Sequence, residues 1–478
     1  MGRGILKSGA ACCLAIGLAV VLPASGLADA GNPPDYRSLT FDPISWPEPE
    51  VKTFTADNGI SFFLIEDHEL PLIRARVMVR SGGFRVPREK TGLAEITGEV
   101  MRSGGTRKYP PDKLNTLLAD KAAEIETGFG FISGSAGMST LKDDFQDLLP
   151  VFVDLLRQPA FPEAKIALAR QRLNTRIARR NDDQRSIAMR TYQRLIYGRD
   201  SIHAREPEYR TVERIRRKDL VQFHKRAYVG ANLLVGVVGD FEVETLRPRL
   251  ESAFSRFPAG KRIEVTLPEP DNPRASSLNV VGKSDVNQSL ILMGHLGGKR
   301  QNPDYAALKV MEKILSGGFS GRLFETIRTE MGLAYSVFGQ YGCHFFYPGM
   351  FFVGLSTRTD ATADAVEAVK AEIERIQKEA GKKELKQARD QFFNSLVFRF
   401  DPVEKILERR MRYAYQGMAA DTFQQLIRDI RQVAVADVVR VAREYLNPDS
   451  LTTLAVGETE KLVDQLNSLG QVEVLPQP

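Results

Sequence analysis

Hydrophobic and polar positions along the chain follow two periods. The runs Ile60 to Ile65, Arg74 to Val79 and Leu233 to Val238 are short, rich in β-branched residues and either apolar throughout or alternating, which predicts strands. The stretches Pro111 to Ala122 and Phe145 to Arg157 repeat apolar residues at helical spacing. Hairpin-like pairs of strands come before the helices instead of alternating with them one by one. That order predicts an α+β fold with mixed or antiparallel sheets flanked by helices, not a doubly wound parallel sheet.

The same pattern occurs twice. The segment from Ile215 to Val221, IRRKDLV, precedes Val433 to Val439, VAVADVV, by 218 positions; Asp219 aligns with Asp437, and Gly239 pairs with Gly457 at the same offset. Near the front of each half a helical pattern runs into paired glycines, Gly104–Gly105 and Gly317–Gly318. Shared order with a drifting offset points to duplication. Between the halves, residues 258–276 hold Pro258, Pro268, Pro270 and Pro273, which resist helix and central strand and so read as a linker. Two α/β halves, 31–257 and 277–478, are therefore expected.

The first thirty residues carry Arg3 and Lys7, an apolar run from Ala10 to Leu22, and small residues up to Ala28 and Ala30. This is the pattern of a cleaved secretory signal peptide, and the run is shorter than the roughly 20 residues needed to span a bilayer. Export to the periplasm or beyond is expected, with no later membrane span. Loss of Cys12 and Cys13 leaves only Cys343, so no internal disulfide can form. A net charge of +6, with basic clusters such as Arg176 to Arg180 and Arg214 to Lys218 lacking interleaved aromatics, predicts no nucleic-acid partner; those clusters read as solvated helix faces.

One segment, RSGGFRVPREKTGLAEITGEVMRSGGTRKYP from Arg80 to Pro110, resembles the zinc-site region of the pitrilysin/insulinase-like metallopeptidases. In that family a glycine-leucine-alanine precedes H-x-x-E-H on a helix: the histidines bind zinc and the glutamate activates water. Here Gly92-Leu93-Ala94 is intact, but the three chemical positions are Glu95, Gly98 and Glu99. The family's third ligand falls near Thr175, and no Asp, Glu, His or Cys lies between Glu163 and Asp182. Two carboxylates without a third ligand suit zinc poorly, so no metal is expected in this chain and pairing with nearby Arg or Lys is. The histidines at 68, 203, 224, 295 and 344 are scattered, and Cys343 beside His344 would point to opposite strand faces, so neither offers a replacement site.

A second segment, LSGGFSGRLFETIRTEMGLAYSVFGQY from Leu315 to Tyr341, resembles the family's other functional motif, an arginine followed seven positions later by a tyrosine. Gly317 and Gly318 open a loop, Arg322 to Met331 has helical spacing, and Gly332 supplies a C-cap before a strand from Leu333. The resemblance implies that Arg328 and Tyr335 grip the carbonyl of a bound peptide, as preorganised donors for an oxygen that becomes negative. A role limited to capping the helix and packing in the sheet is the alternative.

The resemblance runs from about Val51 to Val472. It implies a clamshell half, an edge strand within Ala122 to Leu141 where a peptide adds beside the damaged helix, and close approach at Gly128 and Gly130. Two-chain members divide the labour between a subunit with zinc and one with the arginine and tyrosine. This chain then reads as the non-catalytic subunit of a heterodimer, binding peptides and acting in trans on a homologous H-x-x-E-H partner that carries the zinc. A structural or peptide-binding protein without any part in proteolysis is the rival.

Overall fold

A computed structural model describes residues 48–270 and 276–478; the expected signal segment 1–30 and Pro273 lie outside the described residues. The first sheet contains β1 (Lys52–Thr55), β2 (Ser61–Glu66), β3 (Leu72–Val79), β4 (Glu124–Phe129), β5 (Gly134–Leu141) and β6 (Leu233–Gly239), in the order β1-β2-β6-β3-β5-β4. The second contains β7 (Ser277–Gly282), β8 (Gln288–Leu296), β9 (Gly298–Lys299), β10 (Ala334–His344), β11 (Pro348–Arg358), β12 (Thr452–Gly457) and β13 (Val472–Leu475), in the order β13-β7-β12-β8-β11-β10-β9. Central strands such as β6 and β12 are buried along their whole length, because helices cover them, whereas β3 alternates.

Without β1, β9 and β13 the two sheets share one topology. The series β2-β6-β3-β5-β4 matches β7-β12-β8-β11-β10: the first pair is parallel and the other three are antiparallel in each. Gly239 and Gly457 end equivalent strands, and the glycine pairs follow equivalent helices, Leu93–Gly104 and Tyr305–Ser316. The fold is α+β with two helix-flanked sheets, as the periodicity indicated.

The sequence halves nevertheless exchange helices. The helix Gln184–Tyr197 packs on the second sheet, where Ile187, Tyr192 and Ile196 join Leu290, Leu292, Leu454 and Val456 in one core. Gln184 Nε2 donates to the carbonyls of Gln288 and Val456. In return the helix Glu404–Gln416 crosses the first sheet. Gly236 in β6 allows this, since a Cβ there would lie 2.4 Å from Met411 Sδ. Arg80 donates to the carbonyls of Ala414 and Tyr415 and stacks on the Tyr415 ring, whose hydroxyl donates to Ile132 O. A boundary at 258–276 thus separates the strands but not the helices. The stretch before residue 271 runs without helix or strand along the first half, accepting at Pro258 O and Ala259 O from Gly230 and Ala231.

Among the described residues no helix is long and apolar enough to cross a membrane.

Candidate functional site

The helix Leu93–Gly104 starts at Gly92, whose φ of 105° is left-handed and suits glycine. Glu95 and Glu99 lie one turn apart and face the helix Glu163–Arg179, where Arg176 pairs with Glu95 and Arg172 Nη1 lies 2.8 Å from Glu99 Oε1. Each carboxylate therefore has its own guanidinium. Thr175, between the two arginines, turns its hydroxyl back to Gln171 O at 3.0 Å. The expected carboxylate–arginine pairing is present, and one of the two arginines, Arg176, comes from the cluster read as a solvated face.

Gly98, the position of the absent base, is buried against β4. A Cβ on it would lie 2.6 Å from Gly128 Cα and 2.7 Å from Phe129 N. Thr127 Oγ1 donates to Gly98 O at 2.6 Å and fastens strand to helix. Backbone occupies the space a glutamate side chain would need.

β4 is an edge strand, bonded only to β5. Its outer side is partly used: Arg102 Nε donates to Ile125 O, and the Gly83 and Phe84 amides donate to Gly130 O and Phe131 O. The close approach at Gly128 is made by the helix through Gly98, while Gly130 sits where the loop at Gly83 joins the strand. Between these contacts a groove opens, lined by Glu95, Gly130, Phe131, Ile202 and Arg205 among others.

The second constellation lies on the other sheet. Gly317 closes the helix Tyr305–Ser316 and its carbonyl accepts from Gln391 Nε2, and Gly318 has φ +70° with open space around it. Arg322, buried, forms a two-pronged pair with Glu384 at 2.6 and 2.8 Å and fixes the start of the next turn. From Phe324 to Glu330 the backbone is a π-helix, not the expected α-helix, and the Met331 amide bonds five residues back to Thr326 O. The buried pair Leu323–Ile327 and the outward pair Phe324–Arg328 are each four apart, a spacing that fits both pitches, so periodicity could not choose. Gly332, at φ +63°, turns the chain into β10 as expected.

Arg328 Cζ stands 4.7 Å from the Phe324 ring centre and 5.5 Å from that of Tyr335. Neither its guanidinium nor the Tyr335 hydroxyl makes a hydrogen bond or ion pair among the described residues, and Tyr335 is 76% exposed. Both sets of donors are unspent among the described residues. Two aromatic faces hold the guanidinium in place without using its hydrogens. Tyr335 lies near the start of β10, whose outer edge meets β9 only at Cys343 and His344. No contact joins this pair to Glu95, Gly98 or Glu99; the two sets sit on different sheets.

Burial pushes the Cys343 thiol up to about 11, and His344 stacks on Tyr347, which is poor ground for a thiolate–imidazolium pair. His203 stacks on the same Tyr347 ring, at 4.5 Å, a meeting hidden by a separation of 144 positions in the numbering. Among the described residues one group of three ligand-type side chains converges: Glu66, His68 and Glu242, all exposed, with ligand atoms within 4.8 Å of one another. Glu95 and Glu99 are not in it.

Residues 214–392 match the family described as Peptidase M16 inactive domain. The chain is 24% identical over 402 residues to the non-peptidase homolog YmxG of Helicobacter pylori, covering 83% of this chain and 91% of that protein. Its fold is similar to the crystal structure of a peptidase M16 inactive domain from Pseudomonas fluorescens, with a TM-score of 0.77, 20% identity, and coverage of 86% of this chain and 98% of that one. It is also similar to the periplasmic protease PqqL of Escherichia coli, with a TM-score of 0.73, 16% identity, and coverage of 88% of this chain but 49% of that one.

Proposed function

Because the chain is an M16 peptidase-like protein of the non-catalytic type and fits the pitrilysin-like family, we propose that it is the zinc-free subunit of an exported two-chain peptidase. It binds a peptide and presents Arg328 and Tyr335 to the scissile carbonyl, while a homologous H-x-x-E-H subunit supplies zinc and base. The observation that carries this reading is the Arg328–Tyr335 pair, held by aromatic packing yet bonded to nothing, opposite in character to the neutralised carboxylates at Glu95 and Glu99. Two facts support a partner: the chain matches about half of PqqL, and its unspent donors need a nucleophile they do not have. PqqL is named as periplasmic, which supports the periplasm as the compartment.

The proposed chemistry is as follows. Arg328 and Tyr335 donate hydrogen bonds to a carbonyl oxygen as it gains charge. A proton acceptor and nucleophile come from the partner.

The test is co-expression with a homologous H-x-x-E-H subunit, isolation of the pair, and peptide hydrolysis with Arg328→Ala and Tyr335→Phe. Loss of one such donor costs about 100- to 1,000-fold in kcat. Unchanged turnover in both variants would remove the trans-catalytic role. It would leave the rival, a peptide-binding or structural protein outside proteolysis, which the name of the Helicobacter relative favours.

A further inference from the structure

A cavity of about 700 Å³ is lined by Arg88, Arg194, Arg199, Arg205, Arg210 and Arg214, among others. Four acids share the wall, Glu89, Asp200, Glu206 and Glu208, so the arginines are in excess. The acids are also largely committed. Asp200 pairs with Arg88, Glu206 with Arg194, and Glu208 with Arg180 at 3.0 Å and Arg194 at 3.8 Å.

What remains is positive. Arg199, Arg210 and Arg214 form no hydrogen bond or ion pair through their side chains among the described residues. Arg205 spends one nitrogen on Val86 O, while its Nε is buried without a partner. Burial foremost, and then the charge of Arg88, lower the proton affinity of Arg205. Guanidinium groups gathered around a void repel one another unless an anion enters, and their forked donors suit carboxylates.

The cavity does not stand alone. Thr91 and Arg205 line both it and the groove that holds Glu95, Phe129 and Gly130. A chain laid against the edge of β4 would run from that groove into the arginines. The cluster from Arg214 onward, which reads as a solvated helix face in the sequence, thus contributes its first residue to a concave wall.

We propose that this cavity is a specificity pocket for acidic side chains of the bound peptide, so that the protein selects peptides with an acidic segment beside the stretch held at β4. The inference rests on the peptide-binding reading above and deepens it by naming a substrate class.

The experiment uses the full mature chain and two labelled peptides of one sequence, one carrying three glutamates and the other glutamines in their place. Binding is followed by fluorescence anisotropy at about 0.15 M salt. The acidic peptide is expected to bind about tenfold more tightly, the combined effect of several partly exposed ion pairs. Added salt should erode the preference. The triple variant Arg199→Gln, Arg210→Gln, Arg214→Gln should bind both peptides equally with an unchanged melting temperature, because these exposed side chains carry no bond of the fold. Equal affinity of the unaltered protein for the two peptides overturns the pocket while leaving peptide binding intact. If neither peptide binds, the peptide-binding reading falls and the pocket with it. Saturable displacement of the acidic peptide by inorganic phosphate, beyond the effect of ionic strength, would make this a small-anion site and also overturn the assignment.

Discussion

Gly98→Ala sets two effects of opposite sign against each other. Alanine in a helix interior is favoured over glycine by about 0.8–1.0 kcal/mol. The new methyl, however, would sit 2.6, 2.7 and 2.8 Å from Gly128 Cα, Phe129 N and Gly128 C, all backbone atoms of a strand pinned by its register with β5. Relief requires helix and strand to part by about 1 Å, and overpacking of this kind costs about 1–3 kcal/mol. The separation also stretches the 2.6 Å bond from Thr127 Oγ1 to Gly98 O, adding about 0.5–1.5 kcal/mol. The clash wins, with a net loss of about 1–3 kcal/mol, or several degrees in melting temperature at about 2–4 °C per kcal/mol for a half of this size. Thermal unfolding by circular dichroism, backed by urea titration, measures it. A midpoint equal to or above that of the unaltered protein would show room beside β4 for a side chain, and the account of why a base cannot sit there would fail.

Restoring the motif by Glu95→His, Gly98→Glu and Glu99→His should not create a zinc peptidase, since the third-ligand position is Thr175 and Arg172 and Arg176 crowd the face; zinc-dependent hydrolysis by the purified single chain would contradict this. Tyr192 fills the core between its exchanged helix and the second sheet, and its buried hydroxyl finds no partner among the described residues. Tyr192→Ala should therefore cost about 3–5 kcal/mol, whereas Tyr192→Phe should be neutral or stabilising by calorimetry. Burial pushes His224 down to about 4, and its Nε2–H donates to Leu156 O, so the folded state holds it neutral. An unfolded histidine, near 6.5, takes up a proton first. The stability this group contributes is complete above about 6.5 and is lost as pH falls toward about 4, by up to about 3 kcal/mol. Urea midpoints measured across that window should fall less steeply for His224→Gln.

Several features were legible without coordinates. Strand and helix periods and glycine punctuation at Gly332 depend on neighbours in the chain, the duplication marked by Gly239 and Gly457 can be read by laying the sequence on itself, and the structure reproduces them. The absence of histidines at 95 and 99 is likewise a matter of composition at known positions. Less accessible was the pitch at Phe324 to Glu330, because a spacing of four fits two helices.

Other features depended on distance in sequence and could be decided only by folding. Which sheet the helices Gln184–Tyr197 and Glu404–Gln416 cover is settled by shape, through Gly236 and Tyr192, since an amphipathic stripe records that a face is buried but not what buries it. The identity of the partners for Glu95 and Glu99, the backbone that fills the place beside Gly98, and the gathering of Arg88 with Arg199 and Arg214 all join residues far apart in the chain. Periodicity reports the environment of one residue at a time; charge balance and close contact belong to pairs, and pairs exist only once the chain has closed on itself.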